Sequence, residues 1–120
     1  MPTADFGYPK AARLRRRSQY LAVQNRPGRI KGRHFLVLHR PNGLNLSRLG
    51  ITVTRRVAGA VGRNRAKRLV REVFRSRRAE LPPGWDLVVI ALAGAPRLGL
   101  AQVDQELSGL LSRLPDKPEA

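Results

Sequence analysis

The most constraining feature of this chain is a helical pattern in the segment AVGRNRAKRLVREVFRSRR, residues 60 to 78. Its apolar residues recur at i, i+3, i+4, i+7 and i+8, the spacing that places side chains on one side of an amphipathic helix. They are Ala66, Leu69, Val70, Val73 and Phe74. Gly59 precedes the segment as an acceptable N-cap, and two prolines at 82 and 83 end the region. The pattern therefore predicts a long helix with one buried side.

The opposite side of this predicted helix is almost purely basic. Eight of the sixteen residues from 63 to 78 are Arg or Lys, and only Glu72 is acidic. At 100° per residue, one set of side chains lies opposite the apolar side: Asn64, Arg68, Arg71 and Arg75, flanked by Lys67 and Arg78. Arg63 and Arg65 occupy the first turn, where the helix dipole attracts phosphate. A solvated helix usually mixes charge signs because like charges repel at this spacing, so the pattern favours a polyanionic partner.

The charge of the whole chain supports the same interpretation. The 120 residues include 24 Lys or Arg and 8 Asp or Glu, a formal net charge of +16. Residues 1–78 hold 21 basic and 2 acidic side chains, whereas residues 79–120 hold 3 basic and 6 acidic ones. This asymmetry predicts one strongly basic surface, which is typical of nucleic-acid-binding proteins.

The remaining pattern predicts a single α+β domain. Residues 13–26 predict a first helix with Leu14, Leu21 and Tyr20 facing inward. Residues 35–40 and 48–56 predict two strands, and a few residues around 29–34 could add a third.

After the basic helix, residues 85–92 predict a buried strand and a leucine pattern predicts a last helix. The inward residues of that helix are Leu100, Val103, Leu107, Leu110, Leu111 and Leu114. We expect a flexible tail at residues 1–12, a domain at 13–114 and a frayed tail at 115–120.

The residue types exclude several classes of site. The chain has no cysteine, so disulfides and thiolate metal sites are absent. His34 and His39 would lie on opposite faces of a strand and are expected to be structural. Asp86 is also expected to be structural, whereas Asp104 and Glu106 are expected to face solvent. The carboxylates form no spaced motif of a metal-dependent nuclease, so no catalytic residue is assigned to the chain.

Targeting signals are also missing from the sequence. The longest apolar run, residues 87–93, is too short to span a bilayer. The first residues, MPTADFGYPKAA, lack the charged and then apolar pattern of a signal peptide. A cytoplasmic location without membrane contact is therefore expected.

The segment GITVTRRVAGAVGRNRAKRLVREVFR, residues 50 to 75, resembles the signature of the bacterial ribonuclease P protein subunit. In that family a G-[IL]-[ST]-V-[ST] strand leads through a basic pair to A-V-x-R-N-R-x-K-R-x-x-R-E. The resemblance extends in order over residues 13–114. It implies a single-domain α/β sandwich of order α-β-β-β-α-β-α, with a four-stranded sheet. It also implies a left-handed β-α-β crossover, although the general rule is a right-handed one.

The resemblance further implies a function. Family members bind a large catalytic RNA, and the ribonucleoprotein removes the 5′ leader of precursor tRNA. The RNA performs the chemistry with Mg²⁺, which it mainly binds itself, while the protein assists folding and contacts the leader. The expected partners are thus the catalytic RNA, with one protein per RNA, and precursor tRNA.

The same resemblance assigns roles to residues. Contacts with the catalytic RNA are expected from Arg63, Asn64, Arg65, Lys67, Arg68 and Arg71, and Arg75 extends this set along the helix. Contacts with the leader are expected from Tyr20, Gln24, Thr52, Thr54, Arg55 and Arg56, where Tyr20 would stack on a base. Additional basic contacts are expected from Arg13, Arg16 and Arg17. Two positions depart from many relatives: Gln24 replaces an aromatic residue, and Leu92 replaces a basic one.

Two alternatives belong to other classes of protein. A structural RNA-binding protein, such as a ribosomal component, fits the composition equally well. An autonomous metal nuclease is the second alternative. The order R-N-R-x-K-R favours the ribonuclease P subunit over the first, and the missing carboxylate cluster disfavours the second.

Overall fold

The computed structural model describes residues 10–25 and 28–115. Its three α-helices and four strands follow the order α-β-β-β-α-β-α, which confirms the predicted order. The elements are α1 (Arg17–Gln24), β1 (Gly28–Lys31), β2 (Phe35–Pro41), β3 (Arg48–Thr52), α2 (Ala60–Ser76), β4 (Trp85–Ala91) and α3 (Leu100–Leu111). Short 3₁₀ helices lie at Lys10–Ala12, Arg78–Glu80 and Ala95–Arg97.

The four strands form one mixed sheet in the order β1-β2-β4-β3. β2 pairs antiparallel with β1 and with β4, whereas β3 and β4 are parallel neighbours joined through α2. This connection is the predicted β-α-β crossover; its hand stays a prediction. β3 is therefore an edge strand, and residues 53–59 connect it to α2.

The sheet is covered on both faces because its buried strands alternate apolar side chains between two cores. One face packs against α2 and α3, with Phe35, Val37, Phe74, Val89 and Leu107 buried between them. The other face packs against α1 through a smaller cluster of Leu14, Val23, Leu38 and Val88. Three layers result, with α1 alone on its side of the sheet.

The first helix starts later than the sequence pattern predicts, at Arg17 instead of Arg13. Arg13 forms an isolated parallel bridge with Leu49 of β3, and the Leu14 N–H donates to the Leu49 carbonyl at 2.8 Å. The edge of the sheet thus holds residues 13 and 14 in extended form, which a local pattern does not reveal. Leu21 is 50% exposed and not inward as predicted, while Val23 takes the buried position. Arg26, the last residue of the predicted helix, lies outside the described residues.

The predicted apolar side of α2 is confirmed. Ala66, Val70, Val73 and Phe74 are buried, Leu69 packs against them, and Gly59 is the N-cap residue with extended backbone. Because this side of α2 is buried, the opposite side of the helix faces solvent. In α3 the predicted inward set is confirmed except for Leu100, which is 46% exposed at the first residue of the helix.

The expectation that Asp104 and Glu106 face solvent is wrong for Glu106, whereas Asp104 remains about 35% exposed but is paired. Asp104 accepts two hydrogen bonds from Arg77, at 2.6 Å to Nε and 2.9 Å to Nη2, and this pairing lowers the pKa of the carboxyl group. Glu106 accepts from the backbone N–H of His34 at 2.7 Å and contacts its ring Nδ1 at 2.8 Å. The two carboxylates therefore attach α3 to the end of α2 and to the start of β2.

The structural roles predicted for the histidines and for Asp86 are confirmed. His34 bonds Glu106, while the His39 ring packs edge-on against Trp85 at a centroid distance of 5.0 Å. Asp86 is buried at the start of β4 and bonds Arg48 at the start of β3. The strand predicted over 48–56 ends at Thr52, and a turn closed by the Val57 N–H on the Thr54 carbonyl follows.

The tails predicted at 1–12 and 115–120 lie mostly outside the described residues, so the domain bounds stay a prediction. Of those residues, Lys10–Ala12 form a 3₁₀ helix and Ala12 is buried. Among the helices in the described ranges, none has the length and hydropathy needed to cross a membrane.

Candidate RNA-binding surface

The exposed side of α2 presents a row of unpaired polar groups. Asn64, Arg68 and Arg71 are exposed, and Lys67 is half-buried beside them. Within the part of the chain that the structure describes, these four side chains form no hydrogen bond or ion pair. We call Asn64, Lys67, Arg68 and Arg71 the basic stripe. Its three cations and one amide are available to an external anion.

The other predicted contacts on α2 are already engaged within the protein. Arg65 donates to the carbonyls of Pro96 and Leu98, both at 3.0 Å, and so holds the loop before α3 against the start of α2. Arg63 donates to the Ala58 carbonyl at 3.1 Å. Arg75 pairs with Glu72 one turn before it, and this hydrogen bond lowers the pKa of Glu72. The residues predicted to contact the catalytic RNA therefore form two groups. The residues of the basic stripe have no partner in the described chain, whereas Arg63, Arg65 and Arg75 already bond to other residues of the protein.

A second surface lies on the α1 side of the sheet. Tyr20 packs directly on β3, since a Cβ at Gly50 would lie 2.6 Å from the Tyr20 ring. The strand register then places four residues side by side beyond the part that α1 covers. They are Lys31, Leu36, Ile90 and Thr52, and we call them the open row. Lys31 is exposed and the other three are half-buried.

Of the predicted leader contacts, the structure places Tyr20 and Thr52 on this face. Gln24 is exposed at the end of α1, and Thr54, Arg55 and Arg56 are exposed just after β3. Arg16 and Arg17 are exposed at the start of α1. Sequence reasoning missed the other three residues of the open row, because only the register between non-consecutive strands brings them beside Thr52.

A small cavity at the free edge of β3 joins these two surfaces. It has a volume of about 120 Å³ and is lined by Arg13, Tyr20, Leu49, Ile51, Lys67 and Arg71. We call it the basic recess. Its lining combines residues predicted separately for the catalytic RNA, for the leader and for additional basic contacts. The Nε atom of Arg13 is buried and has no hydrogen-bond partner in the described residues.

The described carboxylates do not fit a Mg²⁺ site. Each one pairs with a cationic or histidine side chain: Glu72 with Arg75, Glu80 and Asp104 with Arg77, Asp86 with Arg48, and Glu106 with His34. In residues 10–25 and 28–115, no three His, Asp or Glu side chains are grouped as metal ligands. A hard cation that requires several oxygen ligands would have to break these pairs.

The fold and this surface define a class: a small α+β protein that presents one basic helix beside a mixed four-stranded sheet. A family model described as Ribonuclease P matches residues 8–115. The chain therefore belongs to the ribonuclease P protein family, as its central segment predicted.

Individual relatives agree with this membership. The chain is 41% identical over 116 residues to a ribonuclease P protein component of Azotobacter vinelandii, covering 95% of this chain and 87% of the relative. It is 38% identical over 106 residues to that of Syntrophus aciditrophicus, covering 88% and 89% of the two chains. The solved RNase P protein of Thermotoga maritima superposes with a TM-score of 0.80 at 37% identity, covering 86% of this chain and 97% of that one.

Proposed function

We propose that this chain is the protein subunit of a bacterial ribonuclease P, which processes the 5′ end of tRNA. In this proposal the basic stripe binds the catalytic RNA, and the RNA carries out Mg²⁺-dependent removal of the leader. The observation that carries the proposal is the stripe itself: unpaired cations on one side of α2, in a chain of this family.

The dimensions of the stripe suit a nucleic-acid backbone. From Asn64 to Arg71 the helix rises by ~10 Å, at ~1.5 Å per residue, which spans a few successive phosphates. Two arginines supply planar forks for phosphate oxygens, and the Asn64 amide can both donate and accept. Arg65 is satisfied by the carbonyls of Pro96 and Leu98, so the stripe does not depend on it.

The open row with Tyr20 supports leader binding. Half-buried Leu36 and Ile90 offer an apolar floor, and Thr52 offers a hydroxyl beside it. Such a surface suits unpaired nucleotides without reading their sequence, because it has few fixed hydrogen-bonding groups. The carboxylates within residues 10–25 and 28–115 are all paired, which supports the assignment of the metal chemistry to the RNA.

The proposed function predicts restored cleavage in a reconstituted reaction. Adding the purified protein to a bacterial ribonuclease P RNA at low Mg²⁺ is expected to restore cleavage of precursor tRNA at the 5′ end of the mature sequence. Protein alone is expected to leave the substrate intact, because its sequence contains no recognisable nucleophile–base motif. Assembly with the RNA without restored cleavage would favour the structural RNA-binding alternative, and cleavage by protein alone would favour a nuclease.

Tyr20 separates leader binding from docking. Tyr20→Ala is expected to weaken holoenzyme affinity for precursor tRNA with a leader of several nucleotides by about 1–3 kcal/mol, the contribution of one stacked base. Affinity for mature tRNA should change little, whereas Tyr20→Phe should retain most of the leader affinity.

Leu21→Ala is the matched control for this prediction, since Leu21 is the next residue of α1 and is half exposed. Melting temperatures measured together with both tRNA affinities distinguish stacking from packing on Gly50. Equal losses for leader-bearing and mature tRNA, together with a lower melting temperature, would assign Tyr20 to the core.

A further inference from the structure

We propose that Val61 and Arg65 of α2 form a stacking platform for an unpaired nucleobase of the bound RNA. Val61 is 85% exposed, whereas the other exposed large apolar side chains of the described residues are 44–50% exposed. It lies three residues before Asn64 and seven before Arg68, so it continues the line of the basic stripe toward the start of the helix. An apolar side chain thus lies at one end of the proposed RNA-binding row.

Packing within the protein does not account for Val61. A β-branched residue is a weaker helix former than alanine, and at 85% exposure its side chain gains little from burial. Its neighbours Gly59, Ala60 and Gly62 are small, and a Cβ at Gly59 would meet no atom within 4 Å, so a bulky partner can approach. Single exposed apolar residues are ordinary on protein surfaces. What distinguishes Val61 is its position beside Arg65.

Arg65 provides a fixed flat surface next to Val61. Its Nε and Nη2 atoms donate to the carbonyls of Pro96 and Leu98, both at 3.0 Å. These bonds lie in the guanidinium plane, so they hold one edge of the group and leave its flat faces without a hydrogen bond. Arg65 is nevertheless exposed. Since the two residues are four apart on the helix, their Cβ atoms lie about 5–6 Å from each other.

The chemistry of this pair favours a base over a phosphate. An apolar side chain and a planar cation both bind the face of an aromatic ring, and unstacked RNA bases are recognised in this way. A phosphate would gain nothing from Val61, and two donor groups of Arg65 are already bonded.

The platform would add selectivity that the basic stripe lacks. Phosphate contacts do not distinguish one RNA from another, because every RNA presents the same backbone. Bases inside a duplex are stacked on their neighbours, so only a base outside a helix can reach Val61 and Arg65. The protein would therefore prefer an RNA that places an unpaired base beside the phosphates bound by the stripe. That this RNA is the ribonuclease P RNA rests on the proposed function.

The test compares Val61→Thr with the wild type, because this change replaces one methyl group with a hydroxyl at nearly constant shape. Fluorescence anisotropy measures binding of ribonuclease P RNA and of a fully paired RNA duplex across a salt series. Val61→Thr is expected to bind ribonuclease P RNA about five- to tenfold more weakly at every salt concentration, with an unchanged salt slope. Its affinity for the duplex should stay at the wild-type value, and Val61→Ile should retain the affinity for both RNAs.

Arg65→Lys is the second variant, since it keeps the positive charge but removes the planar group. It should show the same selective loss without a change of slope. Its melting temperature is measured as well, because Arg65 also holds the loop before α3. Leu44→Thr is the control: Leu44 is 44% exposed in the loop between β2 and β3, and its replacement should change neither affinity.

The platform is overturned if either Val61→Thr or Arg65→Lys keeps the wild-type affinity for ribonuclease P RNA. An equal loss for the duplex, or a lower salt slope, would also overturn it, because the contact would then be with the RNA backbone. Failure of the wild type to restore precursor tRNA cleavage would instead reject the proposed function. The binding comparison between the variants does not depend on cleavage, so the two failures are distinguishable.

Discussion

Replacing Arg68 and Arg71 together with alanine is expected to weaken binding of ribonuclease P RNA by about 10- to 100-fold at moderate salt. Both side chains are exposed on α2 and lack a partner in the described chain, so their donors are free for phosphate. Each phosphate contact that is lost reduces the number of counterions released when the RNA binds. The slope of log affinity against log salt should therefore fall by about two units for the two contacts. Filter binding or fluorescence anisotropy across a salt series measures both quantities.

The matched control for this pair is Arg97→Ala with Arg113→Ala. These arginines are also exposed but lie outside α2, one in the loop after β4 and one after α3. The control removes the same charge, so it should lower affinity only slightly and preserve the salt slope. An equal loss of slope in both double variants would mean that net charge, and not the stripe, governs binding. Because Arg71 also lines the recess, the single variant Arg68→Ala isolates the stripe.

The helix that carries the stripe was predictable because its signal is local. The apolar spacing from Ala66 to Phe74 fixes which side of α2 is buried, and hence which side faces solvent. Gly59 and the prolines after the helix mark its limits without information from the rest of the fold. The exposure of Arg68 and Arg71 follows from that pattern alone.

The start of α1 and the basic recess were not predictable, because both depend on contacts between distant residues. The sequence pattern predicts a helix from residue 13 onward, in the segment RLRRR (residues 13–17). In the structure, residues 13 and 14 instead pair with the edge of β3. The recess then unites a residue before α1 with Tyr20 and with two residues of α2. No spacing within any one of these segments indicates that they meet.

Charged residues also show the difference between what a local pattern predicts and what contacts between distant residues determine. Periodicity places Arg65 and Asp104 on polar sides of their helices, but it identifies no partner for either side chain. In the structure Arg65 is bonded to the carbonyls of the loop before α3, and Asp104 is bonded to Arg77 of the preceding helix region. Sequence patterns identify polar sides, but the partners are chosen by the tertiary packing of α2 against α3.

Asp86→Ala is expected to be the most destabilising substitution of a charged residue, costing about 3 kcal/mol of unfolding free energy. The Asp86 carboxylate accepts from Arg48 at 2.8 and 2.6 Å and from the Asn42 amide at 2.9 Å. It joins the first residues of the parallel strands β3 and β4, where Arg48 and Asp86 are register partners. Without the carboxylate, a guanidinium that is only 22% exposed loses its counter-charge. Thermal and denaturant unfolding measure the loss, which should lower the melting temperature by roughly 10 °C.

Asp104→Ala is a closely matched control, because Asp104 also forms a two-pronged pair with an arginine. Its pair with Arg77 is more open to water, with side chains 35% and 31% exposed against 8% and 22% for Asp86 and Arg48. Water screens the exposed pair, so its loss should cost about 1 kcal/mol or less. Equal costs would show that burial does not set the strength of these pairs. Below its melting temperature the Asp86 variant should still bind ribonuclease P RNA with the wild-type salt slope, since neither Asp86 nor Arg48 belongs to the basic stripe.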